Sequence, residues 1–360
     1  MNTYAQVALN IPRYMLFRST GHPRMLPLNL TVSVTYRCNS RCRTCNVWKK
    51  KADEFTAAEF DRTFRSVGTS PYWFTMSGGE PFLRHDIVEI CASVSARCRP
   101  GIINIPTNGI LHRAIPEKVA EIAQACKGSQ VIINLSIDGI GVKHDEIRGI
   151  EGNFERSMKT WEGLQAIEAP NLSLGVHTVI SRFNAPAIPE IYAYFAANGA
   201  DSYIAEIAEE RVELDTVGSG ITPDPGEYAG AADFLIGKAR EERRRGISGV
   251  TQAFRREYYE RVKEILRRRQ QVLPCYAGFA SAQIAPDGDV WTCCVRAEPV
   301  GNLRSTGYDF RKIWFGAEVD RLRSSIKNRE CFCPLANAYY TNILCHPPSL
   351  ARVAVRCLAR

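Results

Sequence analysis

The run Leu30-Thr-Val-Ser-Val-Thr-Tyr36 is followed, one residue later, by Cys38-Asn-Ser-Arg-Cys42-Arg-Thr-Cys45. The first stretch is rich in β-branched residues and has the length of a strand. The second places three thiols within eight residues of the loop directly behind that strand. Three thiolates supply three ligands and leave a fourth coordination position open. A structural zinc site is closed and needs a fourth protein ligand, and no neighbouring His or Cys offers one. Three soft donors and a vacancy suit a [4Fe–4S] cluster with one iron free to bind a substrate or cofactor.

Outward from this loop, strand-like runs recur at Tyr72–Met76, Ile102–Ile105, Val131–Ile137, Leu172–Ile180 and Ser202–Ile207. Helical segments lie between them at Ala57–Val67, His85–Cys98, Pro116–Cys126, Asn153–Ile167 and Ile188–Ala197. Thr56 with Glu59 forms a capping-box pattern, and Pro116 suits a first helical position. Strand starts fall 29 to 42 residues apart with a helix in each interval, the rhythm of βα units on a parallel sheet. Six such units fall short of the eight that close a full barrel. The expected fold is α/β, a partial (β/α)6 barrel of the TIM type, open on one side.

Composition narrows the class. The chain has 360 residues, 45% of them hydrophobic, and a net charge of +8, which is globular rather than disordered. No apolar run reaches the roughly 18 residues of a membrane span. The start, MNTYAQVALNIPRYMLFRST, lacks the features of a signal peptide. A cytoplasmic protein with reduced thiols follows. Thirteen cysteines, an odd number, argue against a disulfide framework. Cys91, Cys98 and Cys126 fall in helices and read as small buried hydrophobes. Residues 226–270 are helical and basic, with clusters at Arg243–Arg245 and Arg267–Arg269. They read as a solvated face or as a docking face for an acidic electron donor. Nucleic-acid binding is not expected, because interleaved aromatics and recognition motifs are missing.

The CxxxCxxC loop after strand one resembles that of the radical S-adenosylmethionine (radical SAM) superfamily, and the resemblance covers most of the chain. Ser77-Gly78-Gly79-Glu80-Pro81 follows strand two and is similar to the family's GGE segment, which binds the methionine amino group. Two glycines let backbone approach a ligand, and Glu80 can accept from an ammonium. The resemblance places Thr107 and Asn108, at the end of strand three, and Ser136 and Asp138, at the end of strand four, against the ribose and methionine of SAM. Arg148 is implied as the partner of the methionine carboxylate, through a guanidinium fork. Trp48 is implied beside the adenine. Thr44 departs from the family, where an aromatic often precedes the last cysteine.

From Cys275 the chain becomes short-stranded, with a hairpin expected over Gln283–Thr292 turning at Asp287-Gly288. Cys275, twelve residues, Gly288, four residues and Cys293 resemble the start of the SPASM and twitch extensions, which hold auxiliary iron–sulfur clusters. The resemblance implies one auxiliary [4Fe–4S] cluster on Cys275, Cys293, Cys331 and Cys333. Cys294 competes with Cys293, and Cys345 is an alternate for Cys331 or Cys333. A zinc ribbon is the rival use of these residues. The expected organisation is an N-terminal extension (1–28), a radical SAM barrel (29–225), a basic helical linker (226–270), an auxiliary-cluster domain (271–346) and an amphipathic tail (347–360).

Strand six runs into a carboxylate-rich stretch, Glu206 to Asp215, where barrel loops meet substrate. Glu206 interrupts an apolar strand and is the leading candidate for a general base, with Glu209 beside it and His177 on strand five. The resemblance implies an enzyme of oxidoreductase type, cleaving SAM to a 5′-deoxyadenosyl radical that takes a hydrogen atom from a small-molecule substrate such as a sugar or cyclitol. A flavodoxin- or ferredoxin-type reductant supplies the electron, and the auxiliary cluster receives the substrate's electron. The alternatives are a peptide- or protein-modifying maturase, a redox-neutral epimerase with Cys126 or Cys345 as hydrogen donor, and, outside enzymes, an iron–sulfur electron carrier.

Overall fold

A computed structural model describes residues 4–242 and 246–358. The expected cluster Arg243–Arg245 lies outside the described residues. The chain opens with helix α1 (Tyr4–Thr20) and strand β1 (Asn29–Thr35), then alternates: α2 (Ala57–Val67), β2 (Trp73–Gly78), α3 (Ile87–Cys98), β3 (Ile102–Thr107), α4 (Ala114–Ala125) and β4 (Gln130–Ser136). Two helices follow, α5 (Val142–Arg148) and α6 (Asn153–Gln165), before β5 (Leu172–Ile180), α7 (Ile188–Ala197) and β6 (Ser202–Ile207). Helices α8 (Pro225–Glu241) and α9 (Gly246–Arg268) lead to three short strands, β7 (Ser281–Ile284), β8 (Asp289–Trp291) and β9 (Pro299–Asn302). Helices α10 (Phe310–Trp314), α11 (Ala317–Lys327), α12 (Ala336–Leu344) and α13 (Pro347–Leu358) complete the order. No helix among the described residues is long and apolar enough to cross a membrane.

The six expected strands pair in parallel, in sequence order from β1 to β6. This is the open, partial (β/α)6 barrel. The Thr56–Glu59 capping box is present at α2, whereas Pro116 stands third in α4 rather than first. Alternation divides each strand between two environments. Leu30, Val32 and Val34 of β1 are fully buried against the helices with Phe60, Phe64 and Phe74. Toward the other end of the sheet, on the same helix-covered face, Leu135, Val176, Ala205 and Ile207 pack on Trp161, Phe195 and Tyr258. Each such side chain contributes roughly 1.5–3 kcal/mol by leaving water. The opposite strand face is polar: Thr31, Ser33, Thr35, Asn104, Asn134, His177 and Glu206 line the barrel's interior.

The sheet does not stop where the expected domain boundary falls. β7 pairs in parallel with β1, from Asn29 opposite Ser281 to Val32 opposite Ile284, and the antiparallel hairpin β7–β8–β9 extends the sheet to nine strands. The C-terminal unit is therefore joined to the barrel through backbone hydrogen bonds as well as by packing. The N-terminal extension is a helix on this same unit: Phe17 of α1 meets Phe279 edge-on at 5.4 Å, and Arg18 Nε donates to the Cys275 carbonyl at 2.8 Å. The tail helix α13 rests on α9, where the fully buried Glu257 takes Arg352 at 2.7 Å and Arg356 at 2.8 Å.

Candidate iron–sulfur and cofactor site

The three N-terminal thiols occupy a loop pinned on three sides. Arg41 and Arg43 donate their backbone N–H groups to the carbonyls of Arg148 and Ile147, both at 2.9 Å. Gly149, which ends α5 in the left-handed region at φ 67°, allows this contact, since a Cβ there would lie 2.2 Å from the Arg41 carbonyl oxygen. On another side Gly79 N–H donates to Thr35 O at 2.7 Å and Glu80 N–H to Arg37 O at 2.9 Å. A Cβ on Gly78 or Gly79 would sit 2.2 Å from those same carbonyls. The two glycines thus lock the loop's entry to β2. Glu54, which the sequence did not single out, accepts from Thr35 Oγ1 at 2.5 Å and Tyr36 N at 3.0 Å, fixing the strand end before the first cysteine.

Donors converge on the sulfurs. Ser40 N–H lies 3.4 Å from Cys38 Sγ and Val47 N–H 3.5 Å from Cys45 Sγ. Asn108 Nδ2 approaches Cys38 Sγ at 3.8 Å, and Arg148 Nη1 approaches Cys42 Sγ at 3.8 Å. Burial pushes the Cys38 thiol up to about 11 and Cys45 to about 12, with neighbouring cysteines adding to the rise. Three soft ligands, mutually coupled and met by N–H and guanidinium donors, fit an iron–sulfur cluster, whose binding would release their protons.

The side chains expected to touch SAM are gathered at this loop, but several have partners within the protein. The fully buried carboxylate of Glu80 accepts from Asn108 N at 2.7 Å, Thr107 Oγ1 at 2.9 Å and Phe82 N at 3.2 Å, tying β2 to β3. Burial raises it to about 7 against those bonds. Asp138 accepts from Val179 N at 2.9 Å and lies 2.8 Å from Arg148 Nε. Arg148 therefore stands between Asp138 and Cys42. His144, buried beside them, receives Asp138 N–H at Nδ1, and burial with the nearby Arg148 charge lowers its pKa to about 4. Trp48 has the Arg41 guanidinium 4.4 Å over its ring. Ser136 ends β4 with its Cα paired to His177 on the polar inner face.

The second set assembles from distant stretches. Cys275 and Cys293 feel each other and Cys331 electrostatically, and Cys333 feels both Cys275 and Cys293. Backbone N–H groups of Ala277, Val295 and Leu335 point at Cys275, Cys293 and Cys333. Among the described residues no three His, Cys, Asp or Glu side chains close on a single ion-sized point. Cys345, the alternate ligand, is away from this set: it is buried with Tyr14, Phe17 and Tyr276 under α1. Cys294 is buried with Arg211 Nη1 3.5 Å from its sulfur, and it also feels Cys293.

The acid-rich stretch after β6 corrects a second expectation. Glu209 is buried against Arg211 Nε at 2.7 Å, and Glu213 accepts from Ser33 Oγ at 3.2 Å and from Gln283. Glu210 caps the loop through Gly218 N and Gly220 N. Glu209 is thus an ion-pair partner and not a free base. The loop is a strut: Asn46 N donates to Leu214 O at 2.9 Å on the first cysteine loop, while Val212 N donates to Val295 O at 3.0 Å and Glu213 N to Cys294 O at 3.3 Å on the second. Glu206 and His177 stay on the inner face, Nε2 to Oε2 3.4 Å. Burial would raise Glu206, but His177, with Arg211 and Arg255 nearby, holds it below the usual carboxylate range. Asn104 and Asn134, joined at 2.6 Å, share that face. They carry the same signal as Glu206, a polar residue interrupting an apolar strand.

Residues 32–195 match the model of the radical SAM superfamily, and residues 275–334 match an iron–sulfur cluster-binding domain of the SPASM type. The chain therefore carries a radical SAM domain followed by a SPASM-type iron–sulfur domain. Its cofactors are accordingly SAM and a [4Fe–4S] cluster, with auxiliary iron–sulfur binding in the SPASM-type extension. The second match spans Cys275 to Cys333 and ends before Cys345. An AdoMet-dependent heme synthase of Methanosarcina barkeri is 26% identical over 318 residues, 84% of this chain and 85% of that protein. Mycofactocin maturase MftC of Mycolicibacterium smegmatis is 26% identical over 302 residues, 82% of this chain and 72% of MftC. A pre-heme d1 synthase of Dinoroseobacter shibae is 27% identical over 215 residues, 58% of this chain, which spans 50% of that relative's length. Among solved structures, Streptococcus suis SuiB bound to S-adenosylmethionine superposes with a TM-score of 0.63 at 14% identity, covering 90% of this chain and 74% of SuiB.

Proposed function

We propose that this radical SAM enzyme oxidises a small, hydroxyl- or amine-bearing substrate held on the polar inner face of the barrel. When bound, SAM and the first cluster supply a 5′-deoxyadenosyl radical, and the second cluster supplies an electron acceptor. The carrying observation is the His177–Glu206 pair, a carboxylate kept ionised inside a β-barrel wall that also carries Ser33, Asn104 and Asn134. Acceptors of this kind recognise O–H and N–H groups. Glu206, as base, would take the proton released when a carbon bearing a hydroxyl becomes a carbonyl. Cys38, Cys42 and Cys45 would hold the first cluster, and Cys275, Cys293, Cys331 and Cys333 the second. Arg148 and Asn108 orient groups at the first.

Two facts favour oxidation over epimerisation. Cys126 hydrogen-bonds to the Cys91 carbonyl in the outer core, and Cys345 lies under α1, so neither thiol considered as a hydrogen donor is on the inner face. A peptide-modifying reading has its own support, the similarity to the maturase MftC. Reaction in heavy water separates these outcomes. Oxidation leaves product carbon free of solvent deuterium and is lost in Glu206→Gln, while deuterium at one product carbon would establish epimerisation. Turnover of a peptide but of no small polyol or amine would establish the maturase.

A further inference from the structure

Helix α1 is apolar on two opposite sides. On its inner side Val7, Ile11, Tyr14 and Phe17 pack with Tyr276, Phe279 and Cys345 of the C-terminal unit. On its outer side Ala5, Leu9, Pro12 and Leu16 recur at the spacing of one helix face. All four are exposed, Leu9 at 74% and Leu16 at 49%. A surface helix ordinarily turns polar or charged residues outward, and here a second apolar stripe takes that place.

The charges around this stripe have one sign. α1 contains Arg13 and Arg18 and no acidic residue, and the first carboxylate side chain in the sequence is Asp53. Exposed Arg13 meets the neutral Asn10 side chain at 3.1 Å. Exposed Lys327, the last residue of α11, donates to the Ser19 carbonyl at 2.7 Å, in the final turn of α1. Exposed Arg329 lies close enough to Arg18 for its charge to be felt there. These partners are neutral or themselves positive, so the positive field beside the stripe is not cancelled locally. Helix α13 differs. It turns Ala351, Val355 and Leu358 outward, but its arginines, Arg352 and Arg356, are tied to Glu257.

We infer that the outer face of α1 rests on an anionic lipid surface, with Leu9 and Leu16 entering the apolar boundary and Arg13, Lys327 and Arg329 meeting lipid phosphates. Interfacial helices join an apolar face to flanking cations in this way, and the long stems of Arg and Lys keep the charge at headgroup level. A second copy of the chain is the poorer occupant on two counts. The stripe is about 17 Å long and one helix face wide, well short of the roughly 800 Å² per partner of a stable interface. Two copies would also bring like charges together. The contact is with the surface only, since no described helix is long and apolar enough to cross a membrane. The inference does not depend on the reaction proposed above.

The test sediments the full chain, with its clusters reconstituted anaerobically, with vesicles of phosphatidylcholine alone or mixed with phosphatidylglycerol. Binding should require the anionic lipid and weaken with added salt. Leu9→Glu with Leu16→Glu should lower the vesicle partition coefficient by about tenfold or more. Arg13→Gln and Lys327→Gln should each lower it by about fivefold. Dithionite-driven SAM cleavage should be the same in all these variants, which reports that they fold. Val355→Glu with Leu358→Glu on α13 should leave the coefficient unchanged. Equal binding to both vesicle compositions, binding to neither, an unchanged coefficient in the double α1 variant, or a larger loss in the α13 variant would each overturn the inference. So would a dimer in vesicle-free solution that the double α1 variant dissociates.

Discussion

The two cysteine sites of this chain are built in opposite ways. The first draws Cys38, Cys42 and Cys45 from one loop, and its geometry is held by backbone bonds from α5, β2 and the strut after β6. The second draws Cys275, Cys293, Cys331 and Cys333 from 59 residues that come together only when β7 pairs with β1 and α1 closes over Cys275. One site is encoded locally and the other by the fold. One loop, residues 208–217, makes backbone bonds to both. The largest expected effect breaks the first site. Replacing Cys38, Cys42 and Cys45 by Ala should abolish SAM cleavage, measured as 5′-deoxyadenosine, while the second site keeps its cluster. Retained cleavage would remove the catalytic role from this loop.

The next test sharpens the second site. Cys293→Ala should remove the auxiliary cluster and stop product formation while sparing SAM cleavage, whereas Cys294→Ala should keep the cluster's absorbance. Adjacent residues with opposite outcomes are expected because the Cys294 sulfur is met by the Arg211 guanidinium, while Cys293 is the one in electrostatic contact with Cys275, Cys331 and Cys333. Arg211→Met addresses the strut. It strands the buried Glu209 and Glu213 carboxylates, and breaking such a pair from one side costs about 3–5 kcal/mol. Denaturant unfolding should show that loss, and Arg211→Lys should recover part of it.

Much of this was legible in sequence because it is local. The six barrel strands, the α2 capping box, the hairpin at Asp287-Gly288 and the grouping of Cys38, Cys42 and Cys45 in one loop all follow from short-range pattern. What was not legible depends on long-range partners. A carboxylate after a barrel strand has the same sequence signature whether it meets substrate, as Glu206 can, or a buried guanidinium, as Glu209 does. Glu80 and Asp138 read as cofactor acceptors, yet Glu80 already accepts from Thr107 and Asn108, and Asp138 from Val179 beside Arg148. The parallel pairing of β7 with β1 joins residues about 250 apart in sequence, and a hairpin pattern carries no information about which edge it will join. Cys345, the alternate for Cys331 or Cys333, is buried in a cluster with Tyr14 and Phe17 of α1.

A smaller effect concerns pH at the first site. His144 is neutral in the fold, its pKa lowered from 6.5 to about 4 by burial and by Arg148. The unfolded chain takes up a proton near 6.5 that the folded chain refuses until about 4. Stability is therefore complete above 6.5 and declines as pH falls through this window, by up to about 3 kcal/mol. Unfolding of the cluster-free protein from pH 7 to pH 4 should show that slope, and His144→Asn should flatten it. An identical slope in the variant would place the protonation elsewhere.

Iron counting on paired variants tests the two-site account most directly. The reconstituted chain should bind about eight irons. The variant lacking Cys38, Cys42 and Cys45 should bind about four, as should the one lacking Cys275, Cys293, Cys331 and Cys333. Mössbauer spectra should assign the remaining iron to a different [4Fe–4S] cluster in each. Iron content unchanged by removal of the second set, or lost entirely on removal of either, would contradict two independent clusters on these seven cysteines.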